Sequence, residues 1–327
     1  MKRTSNATEL FQAASAGDRG ALARLLSIVE RGGDDSRELA ALTFRRAGNA
    51  YAIGFTGAPG TGKSTLVSAV LGEQRKRLDS RVAVLAIDPS SPVTGGAILG
   101  DRVRMQEHAL DDAVFIRSMA TRGHVGGLAA AVPEAVRLLD ATGWPLVLVE
   151  TVGVGQVEVE VAAICDTVVV VVNPGWGDAV QANKAGLLEI ADVLVINKAD
   201  RPGVQETARD LRLMLQLSGT LEWTPPIVKT VASTGEGIAE LFEAIASHRE
   251  HLERRGELEV RRAERARDEA LEIAKGRFER ALGAAVGGPG NAGLLTDLRQ
   301  RRMDPDQAAG RLVGQVAREL AGESGSL

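Results

Sequence analysis

The chain has 327 residues, 44% hydrophobic and 25% charged, and its 39 basic against 43 acidic side chains leave a net charge of −4. That balance excludes a disordered chain and argues against a dedicated nucleic-acid surface. A single cysteine, Cys165, excludes an internal disulfide framework and a cysteine-cluster metal site, and fits a reducing compartment. Aromatics are only 3%, so the core has to be built from Val, Leu, Ile and Ala. No apolar run reaches the length of a membrane span, so no membrane role is expected. The opening MKRTSNATELFQ has neither the apolar stretch of a signal peptide nor the arginine-rich pattern of a transit peptide, and the chain is read as cytoplasmic.

Taken in order, residues 8–47 read as helices, with Leu10, Ala14, Leu22, Leu25, Leu26 and Val29 at helical spacing and a break at Gly17-Asp18. A further helix is placed from Ser36 to Arg46. From 50 to about 247, apolar runs alternate with helical patterns, the mark of a mostly parallel α/β sheet flanked by helices. Strands are expected at 50–55, 82–87, 113–116, 145–150, 167–172, 193–196 and 227–231. Their near-continuous apolar character fits burial on both faces. After Ser247 the composition shifts to Glu and Arg, read as a solvated helix face with i,i+4 pairs. A loop at 287–290 and two short helices, near 293–302 and 305–321, follow. The expected organisation is an N-terminal helical extension (1–48), an α/β nucleotide domain (49–247) and a C-terminal helical dimerisation arm (248–327).

The stretch that organises the chain is AYAIGFTGAPGTGKSTL, residues 50–66. Gly57, Gly62, Lys63 and Ser64 fit G-x-x-x-x-G-K-[ST], the P-loop. The loop of Ala58, Pro59, Gly60, Thr61, Gly62, Lys63, Ser64 and Thr65 is expected to wrap phosphate oxygens, chiefly with its backbone N–H groups, at the start of a helix. Lys63 should reach the outer phosphates and the Ser64 hydroxyl should ligate Mg²⁺. Asn197-Lys198-Ala199-Asp200 matches N-K-x-D behind an apolar strand. The Asp200 carboxylate only accepts hydrogen bonds, which suits the ring N–H and exocyclic amine of guanine and repels the acceptor nitrogen of adenine. Together the two motifs define a guanine-nucleotide site for GTP or GDP. The N–H of Ala232, in a loop where Val231 stands in place of the usual Ser, is expected at the base oxygen.

Other candidates sit at the remaining strand ends. Glu150, in ETVG, occupies the usual place of an Asp near Mg²⁺, and its longer side chain points to contact through a metal-bound water. Gly153 is placed to sense the γ-phosphate. Asp101 is favoured as a metal carboxylate in a first switch, with Asp88 behind it; helix capping is the alternative for either. Arg122, in RSMATRGHVGG, reads either as a cis arginine finger or as part of a turn. Only seven of the 39 basic residues are lysines, which singles out Lys184 beside Asp178 and Gln181; a catalytic or switch role and a plain solvated one stand level.

The stretches GAPGTGKST, AIDPSSP, GDRVRM, RSMATRGHVGG, ETVGVGQ, NPGWGDAVQANKAG and NKAD together resemble the methylmalonyl-CoA mutase-associated GTPases, the MeaB/ArgK family. The resemblance extends to ALARLLSIVE and MDPDQAAGRL in the terminal helices, and Glu150 departs from GTPases at large but matches this family. It implies a homodimeric, slow GTPase that helps load and protect the cofactor of an adenosylcobalamin-dependent acyl-CoA mutase, methylmalonyl-CoA mutase. The loop 173–184 would relay the nucleotide state, and the cobalamin would belong to the partner. No Gln or His is clearly placed to orient the attacking water. The alternatives are a nickel or other metal-centre maturation GTPase, which would need more His or Cys, and a binding-only switch for another acyl-CoA mutase.

Overall fold

The computed structural model describes residues 7–89, 108, 110–121, 127–151, 164–175, 189–217, 222–288 and 291–323. In chain order the elements are α1 (Ala7–Ser15), α2 (Arg19–Arg31), α3 (Asp34–Phe44), β1 (Tyr51–Thr56), α4 (Lys63–Arg77), β2 (Val82–Pro89), β3 (Val114–Thr121), α5 (Gly127–Ala141), β4 (Leu146–Thr151), β5 (Thr167–Val172) and β6 (Val193–Asn197). They continue with α6 (Val204–Leu217), β7 (Ile227–Thr230), α7 (Ile238–Arg255), α8 (Glu257–Gly287), α9 (Leu294–Arg299) and α10 (Pro305–Glu323). The contacts divide the chain into two units. One comprises Met1–Arg122 and Ala131–Arg265, the other Gly123–Ala130 and Ala266–Leu327.

The first unit is built on a seven-stranded sheet in the order β3-β2-β4-β1-β5-β6-β7, and every neighbouring pair is parallel. Each expected strand is present. Val168–Val172 and Val193–Ile196 are all buried, because helices cover both faces and a strand in that position has no wet side. Burying one such side chain fully stabilises the fold by about 1.5–3 kcal/mol before entropy is counted. Leu66, Val67, Val70 and Leu71 of α4 and Leu241, Ile245 and Leu252 of α7 complete this core.

β3 runs to Thr121, well past the expected 113–116. The apolar run stops at Arg117 and Ser118, but Arg117 has a partner: its Nη2 donates to Glu30 Oε2 at 2.6 Å and Ser27 Oγ at 3.0 Å, both on α2. Arg19 donates from the start of α2 to the Val114 carbonyl at 2.6 Å. The N-terminal helices are thus fastened to the edge strand. Asp18 caps α2 by accepting from Gly20 and Ala21 N–H at 2.8 and 3.0 Å, as a break at Gly17-Asp18 requires.

The charged stretch after Ser247 is only in part the solvated face expected. Arg249–Glu253 and Arg254–Glu250 are exposed i,i+4 pairs. Arg261, Arg262 and Arg265 instead turn inward onto two carboxylates at the amino ends of β5 and β6. Arg262 reaches Asp166 Oδ2 at 2.9 Å and the carbonyls of Gly48 and Ala50 at 2.7 Å each, and Arg265 also pairs with Asp166. Arg261 pairs with Asp192 Oδ1 at 3.2 Å. His248, fully buried on α7, meets Thr167 Oγ1 at 2.8 Å through Nδ1 and lies 3.1 Å from Asp192 Oδ1 through Nε2. Tyr51 adds its hydroxyl to Thr167 at 2.6 Å, and burial raises its phenol pKa. Burial likewise pushes up the Cys165 thiol, which is therefore inert.

In the second unit Asn291 donates to the Ala285 carbonyl at 2.8 Å and to Gln315 Oε1 at 2.7 Å. Asp304 accepts from the N–H groups of Asp306 and Gln307, opening α10 with Pro305 in its first turn. Leu271, Ile273, Val286, Leu295 and Val313 of these helices are exposed.

Candidate functional site

Because all seven strands are parallel, their carboxyl ends lie along one edge, where open α/β sheets bind ligands. β1, at the centre of the order, ends at Thr56 and delivers the loop Gly57–Gly62 to that edge. Gly57 has φ +137, and a Cβ built there would overlap the Val171 carbonyl oxygen of β5. Gly62 has φ +90, and a Cβ there would overlap the Asn197 amide. These two glycines let the loop lie flat against neighbouring strand ends. Gly57→Ala is therefore expected to destabilise the protein by at least about 1–3 kcal/mol from backbone strain alone. Urea unfolding checks this; a midpoint equal to the parent's would mean that the loop relaxes without cost.

α4 begins at Lys63 behind Gly62, which contributes no side-chain cap. Lys63 is 6% exposed, and its ammonium bonds the carbonyls of Gly57 at 2.6 Å and Ala58 at 3.1 Å. Thr61 closes the loop on the Ala58 carbonyl through its hydroxyl at 2.9 Å. Pro59, Gly60 and Thr65 are exposed. Ser64 donates to Glu150 Oε1 at 2.6 Å, across 86 residues of sequence. That meeting depends on β4 lying beside β1, with Phe55 opposite Glu150. A hydroxyl and a carboxylate side by side beneath the phosphate loop are hard oxygen donors, and they fit Mg²⁺. Asp88 lies next to the carboxyl end of β2, on the far side of β4, where Ile87 is opposite Thr151; its side chain lies outside the described residues.

The guanine motif arrives on β6. Asn197 is buried and donates to the Thr61 carbonyl at 2.8 Å, while its oxygen accepts from Thr230 Oγ1 at 3.1 Å and from the N–H of Ala232 at 3.2 Å. The Ala232 N–H expected at the base oxygen is thus engaged by Asn197. Val231, which replaces the usual Ser, accepts at its carbonyl from Thr234 and Gly235 and keeps the loop compact. Lys198 adopts a left-handed backbone, φ +57, and its ammonium donates to the Gly60 carbonyl at 2.6 Å. Asp200 is exposed in the following turn.

The structure thus brings together residues 57–65, Glu150, Asn197, Lys198 and Ala232. Asp101, Arg122, Gly153, Asp178, Gln181 and Lys184 lie outside the described residues. One residue was not singled out from sequence: Asn173, at the end of β5, whose Nδ2 donates to the Gly60 carbonyl at 3.3 Å. The signal was present, since an Asn closes β5 as Asn197 closes β6, but it carries weight only once β5 is known to lie beside β1.

The turn at Asn197-Lys198 and the loop 57–65 are bonded directly to each other, and the fold carrying them is that of a P-loop GTPase. The family model described as "Methylmalonyl Co-A mutase-associated GTPase MeaB" matches residues 22–286, and the chain belongs to that family. A protein of Pyrococcus abyssi named as a GTPase is 46% identical over 312 residues, 94% of this chain and 96% of its own length. GTPase ArgK of Escherichia coli is 39% identical over 252 residues, 74% of this chain and 76% of its own. Among solved structures, one titled as a LAO/AO transport system kinase superposes with a TM-score of 0.68 at 26% identity, covering 97% of this chain and 99% of that one. No described helix is long and apolar enough to cross a membrane.

Proposed function

We propose that this GTPase is a Mg²⁺-dependent switch that assists an adenosylcobalamin-dependent acyl-CoA mutase, methylmalonyl-CoA mutase, in loading and protecting its cofactor. The observation that carries the reading is membership, over residues 22–286, of a family described by its association with that mutase. A cytoplasmic, homodimeric protein is the form we expect; the buried lone thiol is compatible with the first, and the exposed apolar residues on the helices of the second unit support the second.

In this mechanism the loop 57–65 and Lys63 bind the phosphates of GTP or GDP. Ser64 would hold the metal, with Glu150 fixing the direction of its hydroxyl and neutralising part of the local positive charge. Bound Mg²⁺ would offset the charge that develops on the phosphates. Asp200 and the stem of Lys198 would select guanine. Asp101, Asp88, Gly153 and Arg122 are proposed for the switch beside the γ-phosphate. Asp178, Gln181 and Lys184 are proposed to report its state to the mutase.

The test is GTP hydrolysis with and without the purified mutase, with ATP as competitor and Lys63→Ala as the blank. GTP-specific acceleration by the mutase supports the reading, and Lys184→Ala should then weaken the acceleration while leaving basal turnover. Unchanged turnover, with no complex on sizing, would sink the mutase assignment and leave a GTPase with another client.

A further inference from the structure

We propose that Asn173 is a positioning residue for the phosphate loop, holding through its side-chain amide the loop conformation that binds nucleotide. The proposal rests on the reading of residues 57–65 as the phosphate site. A carbonyl oxygen has two lone pairs, and among the described residues the donors to Gly60 both come from strand ends: Lys198 Nζ at 2.6 Å and Asn173 Nδ2 at 3.3 Å. The next carbonyl, of Thr61, is taken by Asn197 at 2.8 Å. Val172 is opposite Ile196, so Asn173 and Asn197 stand side by side where β5 and β6 end. Two successive loop carbonyls are therefore held on the β5–β6 side. In a trans peptide the N–H points away from the C=O, so the Gly62 N–H of the Thr61–Gly62 peptide faces away from Asn197.

Asn173 is itself held. The Gly175 N–H donates to Thr207 Oγ1 at 3.2 Å, and Gly203 lies alongside, where a Cβ would sit in ordinary van der Waals contact with Gly175 N, at 3.5 Å. The turn 173–175 is thus braced against the first turn of α6 and can present its amide at a fixed place. The carboxamide oxygen of Asn173 is buried and finds no partner among the described residues. For folding alone this is the wrong side chain, since a buried, unsatisfied acceptor is less stable than an apolar group of the same shape. The half of the amide that bonds the loop gives the polar side chain a purpose there.

That asymmetry separates a positioning role from a structural one. Asn173→Leu keeps the branched shape and loses both the donor to Gly60 and the orphan acceptor. In full-length protein assayed without any mutase, KM for GTP and Kd for GDP are expected to rise about five- to tenfold, the value of one net hydrogen bond. The kcat should stay within about twofold, because the interaction serves ground and transition states alike. The thermal midpoint without nucleotide should hold or rise. Asn173→Asp, which keeps shape and acceptor but lacks the donor, should raise KM at least as much. Unchanged KM and Kd in either variant would overturn the proposal. So would a lowered midpoint with reduced kcat and unaltered KM, the signature of a brace whose loss only depletes folded protein. Because no partner is added, failure of the mutase assignment is read in a different experiment.

Discussion

Asp200→Asn is expected to turn a guanine-nucleotide protein into one that prefers xanthine nucleotides. A carboxylate offers two acceptors, matched to the ring N–H and exocyclic amine of guanine. A carboxamide offers one donor and one acceptor, which fits xanthine, where a carbonyl replaces the amine. The ring N–H can still bond the carboxamide oxygen, but the exocyclic amine then meets a donor. One hydrogen bond to a charged group, about 1.5–3 kcal/mol, is lost, and GTP affinity should fall at least about 10–10²-fold. The fold should be unaffected, since Asp200 is exposed and the links that hold the site, Asn197 to Thr61 and Lys198 to Gly60, do not pass through it. Competition of GTP against XTP in equilibrium binding checks this. Retained preference for GTP would show that another residue reads the base.

Asp166→Ala has the largest expected effect on the fold, about 3–5 kcal/mol, because it removes one member of a desolvated charge cluster and strands the rest. Its side chain is 4% exposed and those of Arg262 and Arg265 are 21% and 18%. The N–H of Ala52 in β1 loses its acceptor as well. Such a cost is a large part of the whole stability of a typical domain, about 5–15 kcal/mol. The variant should also change the pH profile. Burial raises the pKa of the Asp166 carboxyl, but the Arg262 hydrogen bond and the Arg265 and Arg262 charges outweigh it and hold the group below its ordinary range. A depressed folded pKa means that the contribution is whole above the unfolded value, about 3.9, and is lost as pH falls through the folded one. Urea midpoints from pH 7 down to acid should therefore fall more steeply for the parent than for Asp166→Ala. Parallel profiles, or a loss below about 1 kcal/mol, would mean that the cluster behaves as a solvated surface pair.

The helical arm carrying those arginines marks where local reading ends. A run dense in Arg and Glu looks the same whether it faces water or a pair of carboxylates, and Asp166 lies about a hundred residues upstream of Arg265. The extension of β3 was hidden in the same way, because Arg117 interrupts the apolar pattern and only α2 supplies the Glu30 and Ser27 that accept it. Asn173 was hidden because an Asn closing β5 gains meaning only once β5 is known to lie beside β1, within reach of the Gly60 carbonyl.

By itself the sequence determined the parts whose physics is local. Continuous apolar runs mark strands dry on both faces, and Gly57 to Thr65 and Asn197 to Asp200 carry their chemistry within a few consecutive residues. The tertiary structure alone decided the strand order. β4 and β5 flank β1, so Glu150 meets Ser64 on one side of the phosphate loop and Asn173 meets Gly60 on the other. Neighbours in a parallel sheet are joined by long crossovers, and which strands pair is settled by how helices cover the faces and close the core. No spacing along the chain records that choice.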